Sequence, residues 1–423
     1  MAVTTGCGTY RAVLRARALT ALAITLSLLL GASLASAQTT PGVIPEMTFF
    51  PEVPVRGPLV FFPTFTISEE FTDNVFLNNA VKESDFITGF TPGVRLTLER
   101  ATYRWAGGYN FTAEKYAKHS ELDNVFQRQI FFINGTQRID PRLTLTLSEI
   151  FIENNNTNLV NQEGFSVGRR VSRSNSLNPG VIWDFGPQTS LRASLSYVLQ
   201  RFDGQGANSS DIYRLAGDVV HNFSPRWSGL LGYEGAYIDV EGQPGTTTHT
   251  PRVGVIYHFT ATRTASVMAG PTLLESQGSW SVSPYVNAVL SEEFMWGAAS
   301  ASFSRIVGTA GGLGGTTENT SIGGVVQVNT LVRDLRVEFA PRYSLAQSTG
   351  NRTGGNDLNV HAFTIGIRAS YQVTPWLAAV AGYRFFQQRS DTTSTVVTSG
   401  VASGIDQNRV FFGLQFGAPI KFD

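Results

Sequence analysis

The sequence predicts an all-β chain, a transmembrane antiparallel up-and-down β-barrel of about 18 strands (16–18). Three observations carry this. Apolar and polar residues alternate with period two through most segments. Turn-like interruptions recur at a regular spacing. Beyond residue 37 no stretch approaches the roughly 18 apolar residues that a membrane helix needs.

The alternation is clearest from Val360 to Phe416. Phe363, Ile365, Ile367, Ala369, Tyr371 and Val373 share one face, and Ala362, Thr364, Gly366, Arg368, Ser370 and Gln372 the other. Thr374-Pro375 breaks the run, because Pro has no N–H to give a ladder. Leu377, Ala379, Ala381, Tyr383 and Phe385 then form the next apolar face. After a Ser/Thr/Gly-rich loop, Val410, Phe412, Leu414 and Phe416 alternate with Arg409, Phe411, Gly413 and Gln415. Such a wall points alternate side chains at lipid and at a wet lumen. The same pattern sets Leu191, Leu195 and Leu199 against Arg192, Ser194 and Gln200, and Leu143, Leu145 and Leu147 against Arg142, Thr144 and Ser148. It also sets Val94 and Leu96 against Arg95 and Glu99, and Val337 and Phe339 against Arg336 and Glu338. A soluble sandwich alternates too, but fits badly with this many strands behind an export signal.

Composition agrees. The hydrophobic fraction of 42% is that of a soluble protein, which a barrel permits because only alternate residues meet lipid. The net charge of zero gives no electrostatic case for nucleic acid. Lys82, Lys115, Lys118 and Lys421 are the only lysines, so nearly all positive charge is Arg.

The N-terminus reads as an address. Arg11, Arg15 and Arg17 precede an apolar core from Ala18 to Leu30, and Ala35-Ser36-Ala37 offers small residues for cleavage, so residues 1–37 read as a secretory signal peptide. Cys7, the only cysteine, lies inside it, which leaves the mature chain no disulfide, thiol nucleophile or Cys metal site. Residues 38–58 carry Pro41, Pro45, Pro51, Pro54 and Pro58 and read as an extended periplasmic lead-in. It is either a passive linker or a segment that docks on a periplasmic partner or in the barrel mouth. Residues 59–423 read as one barrel, with no composition break.

Within them, short turns are expected at Glu99-Arg100, Asp140-Pro141, Gly186-Pro187, Ser224-Pro225, Ala261-Thr262, Ser291-Glu292, Arg333-Asp334 and Thr374-Pro375. Their spacing of about 30–46 residues fits two strands and one long loop. The loops read as Asn154–Gly168, Asp203–Ser210, Glu241–Thr247, Gly308–Thr317, Ser348–Asn356 and Ser390–Gly404. Short turns belong on the periplasmic rim and long loops on the extracellular one. Trp105, Tyr109, Trp183, Trp227, Tyr257, Trp296 and Trp376 gather near strand ends, where amphipathic rings favour the membrane–water interface.

The polar faces carry Arg95, Arg142, Arg192, Arg336, Arg368 and Arg384, and Glu99, Glu149, Asp218 and Glu338 are expected to share that interior. Two readings stay open: a selective lining for sugar hydroxyls or anionic groups, or charge ladders that stiffen the wall. About 18 strands leave room for a solute path unless a loop folds inward. No catalytic, cofactor or metal constellation emerges. His119, His221, His249, His258 and His361 lack partners at metal-ligand spacing. His221 and His258 read as interfacial polar residues, Gly311–Gly315 as a loop tip, and Asn154–Asn156 and Asp203-Gly204 as solvated loop in preference to a weak Ca²⁺ site.

Ile67 to Phe76, with its Asp73-Asn74-Val75, followed by Ser84-Asp85-Phe86-Ile87 and Thr91-Pro92-Gly93-Val94, resembles the opening of the putative β-barrel porin-2 family. The resemblance covers the first hairpin by motif and the rest by strand pattern. It implies an outer-membrane protein found with exopolysaccharide systems, and it assigns no role to Asp73, Asn74, Ser84 or Asp85. Physically, Asp73 and Asn74 are placed to pin the first extracellular loop by side-chain-to-backbone bonds. One departure is that Phe422, in the place of a terminal aromatic assembly signal, is followed by Asp423.

The functional expectation is a Gram-negative outer-membrane channel, embedded in lipid, that passes polar solutes or exported exopolysaccharide, in the second case with periplasmic export components. Monomer and trimer stay open. A second reading is a structural or adhesive barrel with an occluded lumen whose loops bind surface polysaccharide. A third, an outer-membrane lipid hydrolase, needs a Ser beside His221 or His258.

Overall fold

In hydrocarbon every backbone N–H and C=O needs a partner, so each strand must find two neighbours and the sheet must close. The computed structural model describes residues 58–422 except 161–162, 205, 330–331, 350–357 and 391–403. The expected signal segment, the lead-in up to residue 57 and much of the Ser348–Asn356 and Ser390–Gly404 loops lie outside the described residues.

The strands are β1 (Leu59–Thr72), β2 (Asp85–Glu99), β3 (Tyr103–Phe111), β4 (Ala113–Tyr116), β5 (Gln129–Arg138), β6 (Leu143–Asn156) and β7 (Arg169–Asp184). Next come β8 (Thr189–Phe202), β9 (Ser210–Asn222), β10 (Trp227–Val240), β11 (Thr246–His258), β12 (Arg263–Ser276) and β13 (Ser279–Phe294). The last are β14 (Gly297–Thr309), β15 (Thr316–Val328), β16 (Leu335–Ser348), β17 (Asn359–Thr374), β18 (Leu377–Ser390), β19 (Gly404–Gly417) and β20 (Ile420–Phe422). Successive staves pair antiparallel, and β1 pairs with both β2 and β19, which closes the barrel. β3 and β4 meet β2 in one unbroken register, as β19 and β20 meet β1. Twenty strands, with two such pairs each counted once, thus make eighteen staves, as the sequence predicts.

Eight short connections lie on one rim: 100–102, 139–142, 185–188, 223–226, 259–262, 295–296, the one described at 329 and 332–334, and 375–376. One expected turn is corrected. Ser291-Glu292 lies inside β13, where Ser291 pairs with Thr264 and Glu292 with Arg263, and the chain turns instead at Met295-Trp296. Two polar residues imitate a turn here, but Glu292 is an outward rim residue that accepts from Arg263 at 2.7 Å.

The outward positions form a continuous apolar belt. Leu195, Leu215, Leu231 and Val253 on β8 to β11 are each more than half exposed. A soluble monomer rarely shows an apolar patch above a few hundred Å², whereas lipid covers such a belt at about 1.5–3 kcal/mol for each large side chain. Rings edge it on the short-turn rim, where Trp183 meets Phe185 at 4.5 Å, Trp227 meets Tyr257 at 4.4 Å and Phe294 meets Trp296 at 4.7 Å.

Glu149 is a second correction. On β6 the inward set is Thr144, Thr146, Ser148, Ile150 and Ile152, so Glu149 faces outward, where the Asn175 amide donates to it at 3.3 Å. Prolines are more freely used than a ladder suggests: Pro63, Pro92, Pro179, Pro251, Pro271, Pro284 and Pro341 all sit in strands, on outward positions. At Pro179, Pro251 and Pro341 the pairing with one neighbour skips two or three residues, as the missing N–H requires.

Candidate solute path and the loops that cross it

Period two turns Arg95 of β2, Arg192 of β8, Arg336 of β16, Arg368 of β17 and Arg384 of β18 inward. Arg368 lies opposite Glu338, and Arg384 opposite Arg409 of β19. Two expected lining residues sit elsewhere. Arg142 is in the β5–β6 turn, on the short-turn rim, its N–H bonded to the Asp140 carboxylate at 2.7 Å. Glu99 ends β2 at the same rim in an exposed pair with Arg104, a pair worth little against water. Further arginines join the inner face: Arg214, Arg252, Arg342 and Arg409. Arg252 is fully buried and forks across Asp218, at 3.0 and 2.9 Å, and Glu234, at 2.8 Å, with its guanidinium 5.6 Å from the Tyr285 ring centre. From β16 through β19 to β2 the inner face holds six arginines (336, 342, 368, 384, 409 and 95) against four carboxylates, Glu338 and Glu70 within the wall and Asp85 and Glu99 at the two ends of β2. That sector is positive.

Three long-rim loops enter the lumen. The β6–β7 loop, in its described residues 157–160 and 163–168, is knotted about Thr157, whose hydroxyl meets the Ser166 hydroxyl at 3.1 Å and the Gly168 carbonyl at 2.9 Å and accepts from the Val167 N–H at 2.9 Å. It reaches the far wall, where Gln388 of β18 accepts from the Ser166 N–H at 2.8 Å and donates to the Ser166 carbonyl at 2.9 Å. The same loop carries Glu163, whose carboxyl burial pushes up in pKa against the pull of Arg342 and Arg214. The β14–β15 loop (310–315) also folds in. Its Gly312 carbonyl accepts from the Asn208 N–H at 3.0 Å, and a Cβ on Gly312, at φ 92°, would lie 3.0 Å from the Phe202 ring. Gly311–Gly315 is therefore a packed insert rather than an outer loop tip. The Asn154–Asn156 run is likewise buried, not solvated, and Asn155 donates to Glu114 at 3.2 Å.

The β1–β2 loop is pinned as its residue types allow. Asp73 accepts from the Asn408 N–H and side-chain amide, both at 2.7 Å, and pairs with Lys82 at 2.8 Å. Burial opposes the Asp73 charge, but Lys82 and Asn408 outweigh it and hold the pKa below the ordinary carboxylate range. Asn74 donates to the Asp406 carbonyl at 2.9 Å and accepts from the Asn78 N–H at 3.0 Å. Asp85 gathers the N–H groups of Phe86, Lys118 and His119 at 2.8 to 3.1 Å, and Ser84 accepts from Lys118 at 3.3 Å. Together these tie the first two loops to each other and to the last long stave.

The histidines at the short-turn rim face threonines: His221 meets Thr189 at 2.8 Å and His258 meets Thr264 at 3.1 Å. Neither contact is the Ser–His pair that the hydrolase reading requires.

The architecture is thus a closed antiparallel barrel with a lipid-type outer belt and an arginine-rich inner face crossed by loops. No protein-family model and no curated protein matches the chain. Solved structures that resemble it include OpdQ of Pseudomonas aeruginosa, at a TM-score of 0.45 and 11% identity, covering 86% of this chain and 98% of that one. The outer membrane protein OpdK of the same organism scores 0.43 at 10% identity, covering 86% and 99%. OccAB4 of Acinetobacter baumannii scores 0.43 at 10% identity, covering 85% and 98%. At this level of similarity no residue role is transferred from them.

Proposed function

We propose that the chain is a channel of a Gram-negative outer membrane that passes small polar solutes, with a preference for anions. The observation that carries the reading is the inner face from β16 to β2, where arginines outnumber carboxylates six to four and two of the four, Asp85 and Glu99, lie at the strand ends. Guanidinium groups stay charged at any working pH and offer forked donors to carboxylate and phosphate. A low-dielectric wall strengthens their field. Short turns then face the periplasm and long loops the exterior. Export of a polysaccharide is the weaker reading, because the β6–β7 and β14–β15 loops narrow the path on the long-loop side. The structural or adhesive reading draws support from those same loops.

Planar-bilayer recording of the purified protein under a KCl gradient tests this. The expected result is a conductance with a reversal potential displaced toward chloride. Cation selectivity would remove the anionic preference, and a silent bilayer for every variant described below would leave the adhesive barrel as the better reading.

A further inference from the structure

A single cluster of buried apolar side chains bridges the lumen. Its members include Phe202 on β8, Leu313 and Leu77 of two inserted loops, Phe165 and Val167 of the third, and Val360 and Phe386 of β17 and β18. β8 and β17 stand nine staves apart in a ring of eighteen, so the cluster spans the full width of the barrel. We infer that this septum is a hydrophobic gate, closed as seen, whose latch is the Ser166–Gln388 contact; the inference rests on the channel reading above.

Three features support a gate over mere wall packing. The wall needs no such core, since its backbone groups are satisfied by the ladder. A dry apolar layer across a polar pore blocks water and ions by dewetting, so polar solutes cross only when the layer parts. The latch is a pair of hydrogen bonds from one side-chain amide to one backbone unit, at 2.8 and 2.9 Å, and both residues are essentially inaccessible to solvent. Both bonds break together when the loop leaves, which gives two discrete arrangements rather than a continuum. Leu77 adds a bias. It is fully buried in the septum with φ 52°, a left-handed conformation that a leucine rarely adopts. The cluster holds that strain, and parting the cluster releases it.

Single-channel recording of the full-length barrel, with folding checked by heat-modifiable gel mobility, tests the gate. Gln388→Ala leaves the Ser166 N–H and carbonyl without their partner, and Phe165→Ser wets the septum from the loop while leaving every stave intact. Each is expected to raise the fraction of time at the high-conductance level by roughly tenfold. Gln388→Asn, which keeps donor and acceptor on a shorter side chain, should fall between Gln388→Ala and the wild type. Folded variants whose dwell times match the wild type, or fall below it, overturn the gate and leave the channel reading standing. Silence from the wild type, both variants and their combination overturns both.

Discussion

His119 shows how much one residue type can settle. Its Nδ1 lies 2.7 Å from the Asp85 carboxylate and its Nε2 2.8 Å from that of Glu83, so only the protonated ring serves both. The bonds to Glu83 and Asp85 raise its pKa above the ordinary value, against a smaller cost of burial. A raised folded pKa means that the stabilisation is complete below about pH 6.5 and fades as the pH climbs through the folded value. Glu83 is half exposed, which limits the effect to on the order of 1 kcal/mol. Thermal unfolding in detergent should show wild type more stable than His119→Gln at pH 6, with the gap closing by pH 9. A gap of constant size across that range would mean the ring acts as a neutral spacer.

At the scale of the strand, several staves touch where one residue has no side chain. A Cβ on Gly382 would stand 2.1 Å from the Phe411 ring and 3.1 Å from the Ile367 carbonyl, so the ring lies flat on the glycine of the next stave. Gly382→Val must push Phe411 into the lumen, at about 1–3 kcal/mol for an overpacked site. Gly217→Ala, with nothing within 4 Å of the new carbon, is the matched control. The valine variant should lose its heat-resistant gel band at a lower temperature than either wild type or the control, and equal behaviour of the two would contradict the packing argument.

For the whole barrel, closure depends on the seam between β1 and β19. Glu70 of β1 accepts from Arg409 of β19 through Nε at 2.8 Å and a further short contact from Nη2, and Arg128 reaches both Glu70, at 3.3 Å, and Glu114, at 3.0 Å. All four residues are buried. Removing one member of such a set strands a charge at about 3–5 kcal/mol. Glu70→Ala should therefore open the barrel at a markedly lower urea concentration, with Glu70→Gln between it and wild type. If both variants unfold with the wild type, the ladder alone closes the seam.

The sequence by itself determined the barrel. Period-two patterning at Val360–Phe416 and its repeats fixed which residues face lipid, and prolines at positions 141, 187, 225 and 375 marked half of the short turns, because these signals act within a few residues along the chain. Parity carried on from Leu143, Leu145 and Leu147 turns Glu149 outward, against the expectation that it shares the interior. The register also turns Arg95, Arg192, Arg336, Arg368 and Arg384 inward, a consequence of local alternation. Only the tertiary structure decided what fills the lumen. Ser166 and Gln388 are 222 residues apart, and Phe202, Leu77 and Val360 share one buried cluster. Leu159, Val160, Phe165 and Val167 in the β6–β7 loop and Leu313 in the β14–β15 loop hint at burial but not at where. Whether a loop stays in water or enters a pore is set by the shape of the cavity that distant strands enclose.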